Sequence, residues 1–147
     1  EEMRRFQQTG ETFVLILADI DDFKRVNDRY GHACGDAVLI SLADLFRDSL
    51  RRDDHVARWG GEEFLMLLPM TSLPQGRKVA ERMRNQVLQR AITYRDIRLS
   101  ITLTFGVSAY VGQKEFAQCL ATADKALYDG KAQGKNRVAV FESAGAA

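Results

Sequence analysis

The chain has 147 residues, of which 46% are hydrophobic and 28% are charged, and its formal net charge at pH 7 is +1. This length and apolar content suffice for one domain with its own hydrophobic core, and no linker rich in proline or serine divides the chain. The small net charge indicates no general attraction to nucleic acid or to a membrane surface, so we expect neither as a partner of this domain.

Membrane-spanning and secreted classes are also disfavoured by the sequence. The longest apolar runs are far too short to span a bilayer, and no signal peptide is visible. Cys34 and Cys119 have neither the spacing of metal ligands nor a disulfide pattern. We therefore expect reduced, packed thiols in a cytoplasmic protein.

Strands and helices alternate along the chain. The first half predicts a buried strand, two helices and a hairpin, over residues 13–20, from about residue 23, from about 35 to 50, and over 55–59 with 64–68. The second half predicts a helix with Pro74 near its start, a strand, a helix capped by Gly134 and a closing strand, the last three over 101–110, 116–134 and 138–141. Because the short hairpin link requires an antiparallel pair, the fold class is α+β, with helices packed on a central mixed or antiparallel sheet.

Three acidic residues lie where the first strand ends: Asp19, Asp21 and Asp22. Carboxylates there are costly to desolvate unless a cation pairs with them. Mg²⁺ prefers one or two carboxylates, a carbonyl oxygen, waters and nucleotide phosphates, so the pattern predicts a nucleotide-dependent metal site. Asp21 has two open interpretations, as a member of this site or as a structural acid.

The hairpin turn reads Gly60-Gly61-Glu62-Glu63. Glycines are expected there because they reach positive φ without steric cost, and a bare turn lets a ligand approach the backbone. The adjacent carboxylates are placed to hold a divalent cation against the phosphates of that ligand. The alternative is a solvated acidic hairpin, and Trp59 beside it is expected to pack across the strands.

Three blocks of the chain, residues 19–36, 51–64 and 124–137, together resemble the GGDEF-domain family, the bacterial diguanylate cyclases that make cyclic di-GMP. The chain carries the GGEEF variant of the motif, and the resemblance runs through nearly its whole length. It implies the palm-like architecture of nucleotidyl cyclases and polymerases, with a mostly antiparallel central sheet flanked by helices. Residues 1–142 are then the GGDEF domain, and residues 143–147 are expected to be a disordered tail.

Family members usually carry a further turn segment and regulatory domains before the position of Glu1. We therefore expect the domain to be truncated at its N-terminus. The parent protein's activating signal, and any membrane anchor in the missing region, lie outside this sequence.

The resemblance implies that two GTP molecules condense into cyclic di-GMP and two pyrophosphates in a homodimer, since one domain binds one GTP. It implies two Mg²⁺ or Mn²⁺ ions per active site. The metal ligands would be Asp19, Glu62, Glu63 and the carbonyl of Ile20. Catalytic roles fall to Glu62 as proton acceptor, to Glu63 and to Lys24.

GTP contacts are implied for residues of the helices, the turn and the chain end: Phe23, Lys24, Asn27, His32, Asp36, Gly60, Gly61, Lys131 and Lys135. Asn27 and Asp36 would read the guanine edge, although helix capping is the alternative. His32 is alternatively a packed histidine. The lysines would bind phosphates, although lysines late in a helix also favour its dipole.

The chain departs from the family pattern at three positions. Lys135 stands where arginine is common, Gly130 where alanine is common, and Thr104 where serine is frequent. A lysine keeps the charge but loses bidentate geometry, which bears on triphosphate affinity. We expect little consequence from Thr104.

Arg51 and Asp54 match the spacing of the family's Arg-x-x-Asp inhibitory product site, with Arg82 contributing from another surface. This implies feedback inhibition by cyclic di-GMP, whereas a charged tetrad between elements is otherwise a solvated loop. Two other functions stay open. One is a catalytically silent GTP sensor or cyclic di-GMP receptor, and the other is a cyclase that closes one nucleotide on itself.

Overall fold

A computed structural model describes residues 12–110 and 115–141, and this part of the chain contains four helices and seven strands. In chain order they are β1 (Phe13–Ile20), α1 (Phe23–Tyr30), α2 (His32–Ser49), β2 (His55–Arg58), β3 (Glu63–Pro69), α3 (Leu73–Gln89), β4 (Ile92–Tyr94), β5 (Ile97–Leu99), β6 (Leu103–Tyr110), α4 (Phe116–Ala132) and β7 (Arg137–Val140). None of these helices is long and apolar enough to cross a bilayer.

Five strands form one sheet in the order β2-β3-β1-β6-β7. β1 pairs antiparallel with β3 and β6, whereas β7 joins β6 in parallel, so the sheet is mixed. The register places Asp19 opposite Glu63 on one side and opposite Thr104 on the other. Acidic residues distant in sequence therefore meet at one end of the central strand.

The central strand is apolar throughout because both of its faces are covered. Val14, Ile16 and Ala18 belong to the larger core cluster, which includes buried residues of α2 and α3. On the opposite face Leu15 and Leu17 pack with buried residues of α4. This alternation follows from the two-residue period of a strand.

Helix α4 packs closely on the sheet over a glycine. A Cβ atom at Gly106 in β6 would lie 2.2 Å from the carbonyl oxygen of Ala123 and 2.5 Å from the amide nitrogen of Leu127. Both atoms belong to the helix backbone, so only glycine permits this approach.

The predicted fold class and most elements are confirmed, with differences at the boundaries. Helix α2 begins at His32, three residues before the predicted start, directly after Gly31 in the left-handed region (φ 91°). Helix α4 ends at Ala132, and Gly134 (φ 127°) follows its cap residue Gln133. The β4–β5 hairpin was not predicted, because its two strands have three residues each and carry no clear alternation.

Two expectations about side chains can be settled. Trp59 is 51% exposed and follows the end of β2, so the prediction that it packs across the hairpin strands is wrong. Cys34 and Cys119 are both buried thiols, as predicted. The predicted truncated N-terminus and the tail at 143–147 lie outside the described residues.

Candidate active site

Three predicted carboxylates, those of Asp19, Glu62 and Glu63, meet where β1 and β3 adjoin, and we call them the acidic cluster. Asp19 lies opposite Glu63 in the strand register, and the amide of Ile20 donates to the carbonyl of Glu62 at 3.3 Å. Burial, and after it the negative charge of Asp19, raises the pKa of both Glu62 and Glu63 above the ordinary 4.5. The two glutamates therefore hold their protons more tightly than separate surface acids would.

Lys131 from the last turn of α4 enters this cluster. Its Nζ lies 2.8 Å from Asp19 Oδ1 and 2.6 Å from Asp21 Oδ1, and it donates to the Ile20 carbonyl at 3.4 Å. The sequence predicted a phosphate-binding lysine here. The structure places its ammonium group on the same oxygens that were predicted to hold the metal.

Asp21 is held by protein groups on several sides. Its carboxylate side chain is 2% exposed and accepts from Lys131. It also accepts from Thr102 Oγ1 at 2.6 Å, from Thr104 Oγ1 at 2.7 Å and from the backbone amide of Asn136 at 2.9 Å. Burial opposes ionisation, but the hydrogen bonds from Lys131, Thr102 and Thr104 outweigh it and lower the pKa of Asp21. Of the two open interpretations, the structure favours the structural acid.

Sequence reasoning missed Thr102 and Asn136 as part of this network. They lie 81 and 115 residues from Asp21 in the chain. No local spacing links residues so far apart, so only the strand order reveals the connection.

The glycine turn is held by a residue that the sequence analysis also missed, Arg58. Its guanidinium donates to the carbonyls of Gly60 at 3.3 Å and Gly61 at 2.8 Å. Neither glycine has positive φ, so that predicted reason for the Gly-Gly pair is wrong. A Cβ at Gly60 would instead lie 3.1 Å from Glu63 Oε2, whereas the space around Gly61 is open. The first glycine thus leaves room for a carboxylate, and the second leaves the turn bare.

The side chain of Asn27 on α1 occupies space that a glycine on α2 leaves open. Its buried Oδ1 has no hydrogen-bond partner within the described part of the chain. A Cβ at Gly35 would lie 1.9 Å from this oxygen, so the close approach requires glycine. Helix capping does not explain Asn27, because the N-caps of α1 and α2 are Asp22 and Gly31. A buried acceptor without a partner is costly, and a ligand donor would relieve that cost.

Asp36 lies at a cavity of about 450 Å³ between α2 and the β2–β3 hairpin. The walls are mostly apolar and include Leu39, Ile40, Val56 and Phe64. Asp36 is exposed within α2 rather than at its cap. His32 is also exposed, so the alternative of a packed histidine is wrong.

The remaining predicted phosphate contacts lie around the start of α1. Phe23 is its buried first residue, and the Asp22 cap before it has φ 57°. Lys135 Nζ lies 2.7 Å from Asp22 Oδ1. Lys24 is exposed and pairs with Asp28 at 3.0 Å, so the structure does not bring this predicted catalytic lysine onto the acidic cluster.

The predicted inhibitory residues Arg51 and Asp54 form a pair. Arg51 Nη2 lies 3.2 Å from Asp54 Oδ1, and it also donates to Thr71 Oγ1 at 2.8 Å and to the Pro69 carbonyl at 3.1 Å. Arg82 on α3 donates to the carbonyl of Ser49 at 2.6 Å, which brings it close to this segment.

The donors at the acidic cluster suit a hard cation. Among the described residues, no group of three or more His, Cys, Asp or Glu forms a ready ligand set. Every ligand atom available here is an oxygen, from the carboxylates of Asp19 and Glu62 and from the carbonyl of Ile20. Mg²⁺ and Mn²⁺ accept such partial oxygen sets because waters and phosphates complete them, so these residues fit either ion.

Comparison with known proteins gives consistent matches. The family described as "Diguanylate cyclase, GGDEF domain" matches residues 1–137. Diguanylate cyclase A of Treponema denticola is 43% identical over 134 residues, which are 90% of this chain and 36% of the relative. Diguanylate cyclase DgcP of Pseudomonas aeruginosa is 41% identical over 140 residues, which are 95% of this chain and 21% of the relative. The chain thus spans well under half of each relative.

Solved structures match the fold over nearly the whole chain. The GGDEF domain of DgcB from Caulobacter crescentus, in complex with c-di-GMP, has a TM-score of 0.89 at 31% identity and covers 95% of this chain and 84% of that one. The diguanylate cyclase SiaD of Pseudomonas aeruginosa, in complex with its activator SiaC, has a TM-score of 0.88 at 40% identity, with 95% and 54% covered. The predicted family is therefore confirmed, and the chain belongs to the GGDEF-domain family of diguanylate cyclases.

Proposed function

We propose that this domain condenses two GTP molecules into cyclic di-GMP and two pyrophosphates. The observation that carries the proposal is the meeting of Asp19, Glu62 and Glu63 beside Lys131 at the end of β1. In each half of the reaction a 3′-hydroxyl oxygen attacks the α-phosphorus of the other GTP. A new P–O bond forms, the bond to the β-phosphate oxygen breaks, and the hydroxyl proton leaves.

Glu62 is the proposed acceptor of that proton. Its pKa is raised by burial and by Asp19, which brings the carboxylate nearer to the working pH of a general base. Burial and Asp19 also raise the pKa of Glu63, whose carboxylate adds to the negative charge beside Glu62. Lys131 provides positive charge where negative charge develops on the phosphates.

The metal requirement is proposed from the donor set. Asp19, Glu62 and the Ile20 carbonyl would hold Mg²⁺ or Mn²⁺, two ions per site. When bound, such ions lower the pKa of a hydroxyl and neutralise phosphate charge.

Guanine selection is proposed for Asn27 and Asp36. The buried Asn27 Oδ1 lacks a donor within the described chain, and guanine presents N–H donors at N1 and N2. Adenine has neither an N–H at N1 nor an amino group at C2, so the same edge of the base would offer this oxygen no donor, and unpaired buried acceptors give strong discrimination.

We further propose that two copies of the domain act together. One site holds one GTP, and the reaction joins two, so two domains must face each other across a two-fold axis. The isolated domain can therefore require a high concentration to show turnover.

The proposed activity is tested by incubating concentrated protein with GTP and Mg²⁺. We expect cyclic di-GMP in the presence of the metal and none after addition of a chelator, as resolved by chromatography and mass spectrometry. A cyclic mononucleotide would point instead to a cyclase that closes one nucleotide on itself. Binding of GTP or cyclic di-GMP without product, even when dimerisation is forced, would point to a silent sensor or receptor.

Product inhibition is proposed to act through Arg51, Asp54 and Arg82. Substitution of Arg51 by alanine removes the guanidinium that would bind the product phosphates. We expect affinity for cyclic di-GMP to fall at least about tenfold, since a charged hydrogen bond contributes on the order of 1.5–3 kcal/mol. Calorimetry gives the affinity, and the half-inhibitory concentration is normalised to the uninhibited rate of each protein.

Arg52→Ala is the matched control for this experiment because Arg52 is exposed and adjacent. It should leave product affinity at the wild-type value. Equal affinities in Arg51→Ala and wild type would refute the proposed inhibitory site.

A further inference from the structure

The loop that joins α4 to β7 has an unusual backbone. Lys135 and Asn136 are consecutive residues with φ of 63° and 47°. Left-handed backbone is unfavourable for lysine in particular, and it persists only where surrounding contacts hold it. Asn136 makes those contacts in two directions.

One contact of Asn136 points toward the acidic cluster. Its backbone amide nitrogen donates to Asp21 Oδ2 at 2.9 Å and to Thr104 Oγ1 at 3.1 Å. Asp21 in turn holds Lys131. The backbone of the loop is therefore tied to the site.

The other contact of Asn136 points away from the site, to helix α3. Its Oδ1 accepts from Arg84 Nη1 at 2.9 Å. Arg84, with a side chain only 17% exposed, is oriented by Glu81, which accepts from its Nε at 3.1 Å and also from its Nη2. A planar guanidinium held along its Nε–Nη2 edge presents Nη1 in a fixed direction.

Two lysines that were predicted to bind phosphate are carried by this loop and by the helix end before it. Lys131 precedes it at the end of α4, with its ammonium on Asp19 and Asp21. Lys135 lies within it, with its ammonium on Asp22. A shift of Asn136 would therefore displace the backbone that carries Lys135.

We propose that Arg84 is a positioning residue for the triphosphate-binding end of the active site, acting through Asn136 on the placement of Lys135. This inference rests on the proposed function, because it assumes that the lysine contacts GTP. Arg84 itself is not assigned any contact with the substrate.

The test compares binding of a non-hydrolysable GTP analogue, measured calorimetrically with Mg²⁺, between wild type and Arg84→Met. Methionine keeps an unbranched apolar side chain similar to the aliphatic part of arginine, but it removes the donors to Asn136 and Glu81. We expect the affinity to fall about tenfold, the lower end of losses seen when an outer residue that orients a ligand-binding side chain is removed. Arg84→Lys, which retains a donor, should recover part of the loss. Lys78→Met, at an exposed position of the same helix, should change nothing.

A double-mutant cycle separates positioning from general loosening of the fold. If Arg84 acts through Lys135, Arg84→Met adds little to the loss already caused by Lys135→Ala. Additive losses, or wild-type affinity in Arg84→Met, would overturn the inference while leaving the proposed function intact. Absence of analogue binding by the wild type would overturn the proposed function and this inference with it.

Discussion

Replacement of Glu62 by glutamine is expected to lower the rate of cyclic di-GMP synthesis about a thousandfold, within the range that a general base contributes. Glutamine has nearly the same shape but cannot accept the proton of the 3′-hydroxyl, and it is a weaker ligand for a hard cation. The rate is measured from product formation at saturating GTP and Mg²⁺. A rate within tenfold of the wild type would remove Glu62 from the proposed mechanism.

The same substitution should stabilise the metal-free protein at neutral pH. Burial and Asp19 raise the pKa of Glu62 in the folded state above the ordinary 4.5, which applies to the unfolded state. At pH values between the unfolded-state and the folded-state pKa, the folded state therefore binds more protons than the unfolded state. The wild type therefore loses stability as pH rises through this window, whereas glutamine has no proton to lose. The melting temperature of Glu62→Gln should therefore exceed that of wild type at pH 7.

Melting curves between pH 4 and pH 7.5, recorded with a chelator, check this sign. The difference between variant and wild type should be small at the acidic end and should grow with pH. Asp96→Asn, which removes an exposed carboxylate in the β4–β5 turn, is the control. A difference that stays constant across the range would show that the raised pKa of Glu62 is not its cause.

Substitution of Gly106 by valine is expected to cost more than about 3 kcal/mol of folding stability, beyond the usual range for overpacking. A Cβ there would lie 2.2 Å from the carbonyl oxygen of Ala123, and backbone cannot rotate away as a side chain does. Helix α4 would have to separate from the sheet. In a domain of this size 3 kcal/mol corresponds to a fall in melting temperature of about 6–12 °C.

Urea titration and thermal melting measure the effect of Gly106→Val. Gly61→Ala is the control, because a Cβ at Gly61 meets no atom within 4 Å and the residue has no positive φ. It should melt within about 2 °C of wild type, since such a surface change is worth about 0.5 kcal/mol or less. Similar stabilities for Gly106→Val and Gly61→Ala would contradict the close packing of α4.

Local pattern was enough to predict the strands and helices that lie near the site. The apolar run before Asp19 identifies a strand buried on both faces, and the Gly60-Gly61 link leaves only an antiparallel pairing for its neighbours. These signals depend on residues close together in the chain. Short elements such as β4 and β5 carry too few residues for such a signal.

Contacts between distant segments could not be predicted in this way. The parallel addition of β7 beside β6 brings Asn136 to Asp21, and nothing near either residue indicates that pairing. Arg58 was missed for a different reason. An arginine in a strand is ordinary, and its role becomes visible only when its guanidinium is seen on the Gly60 and Gly61 carbonyls.

Two departures from the family pattern turn out to be one structural feature. A Cβ at position 130 would lie 2.8 Å from Thr104 Cγ2. The methyl group that threonine adds at 104 therefore occupies the space that alanine would need at 130. Taken singly in the sequence, the threonine suggested little consequence, and no reason for the glycine was apparent.

Because both native thiols are buried, a label on an introduced cysteine can be used to measure the distance between two associated domains. Cys34 is 0% exposed and Cys119 is 2% exposed, and burial raises the pKa of Cys34. Thiol-directed probes react with accessible thiolate, so the native protein presents little background to them. One cysteine introduced at an exposed residue such as Ser100 can then carry a spin label. Dipolar coupling between labels would report how far apart paired domains sit as nucleotide is added.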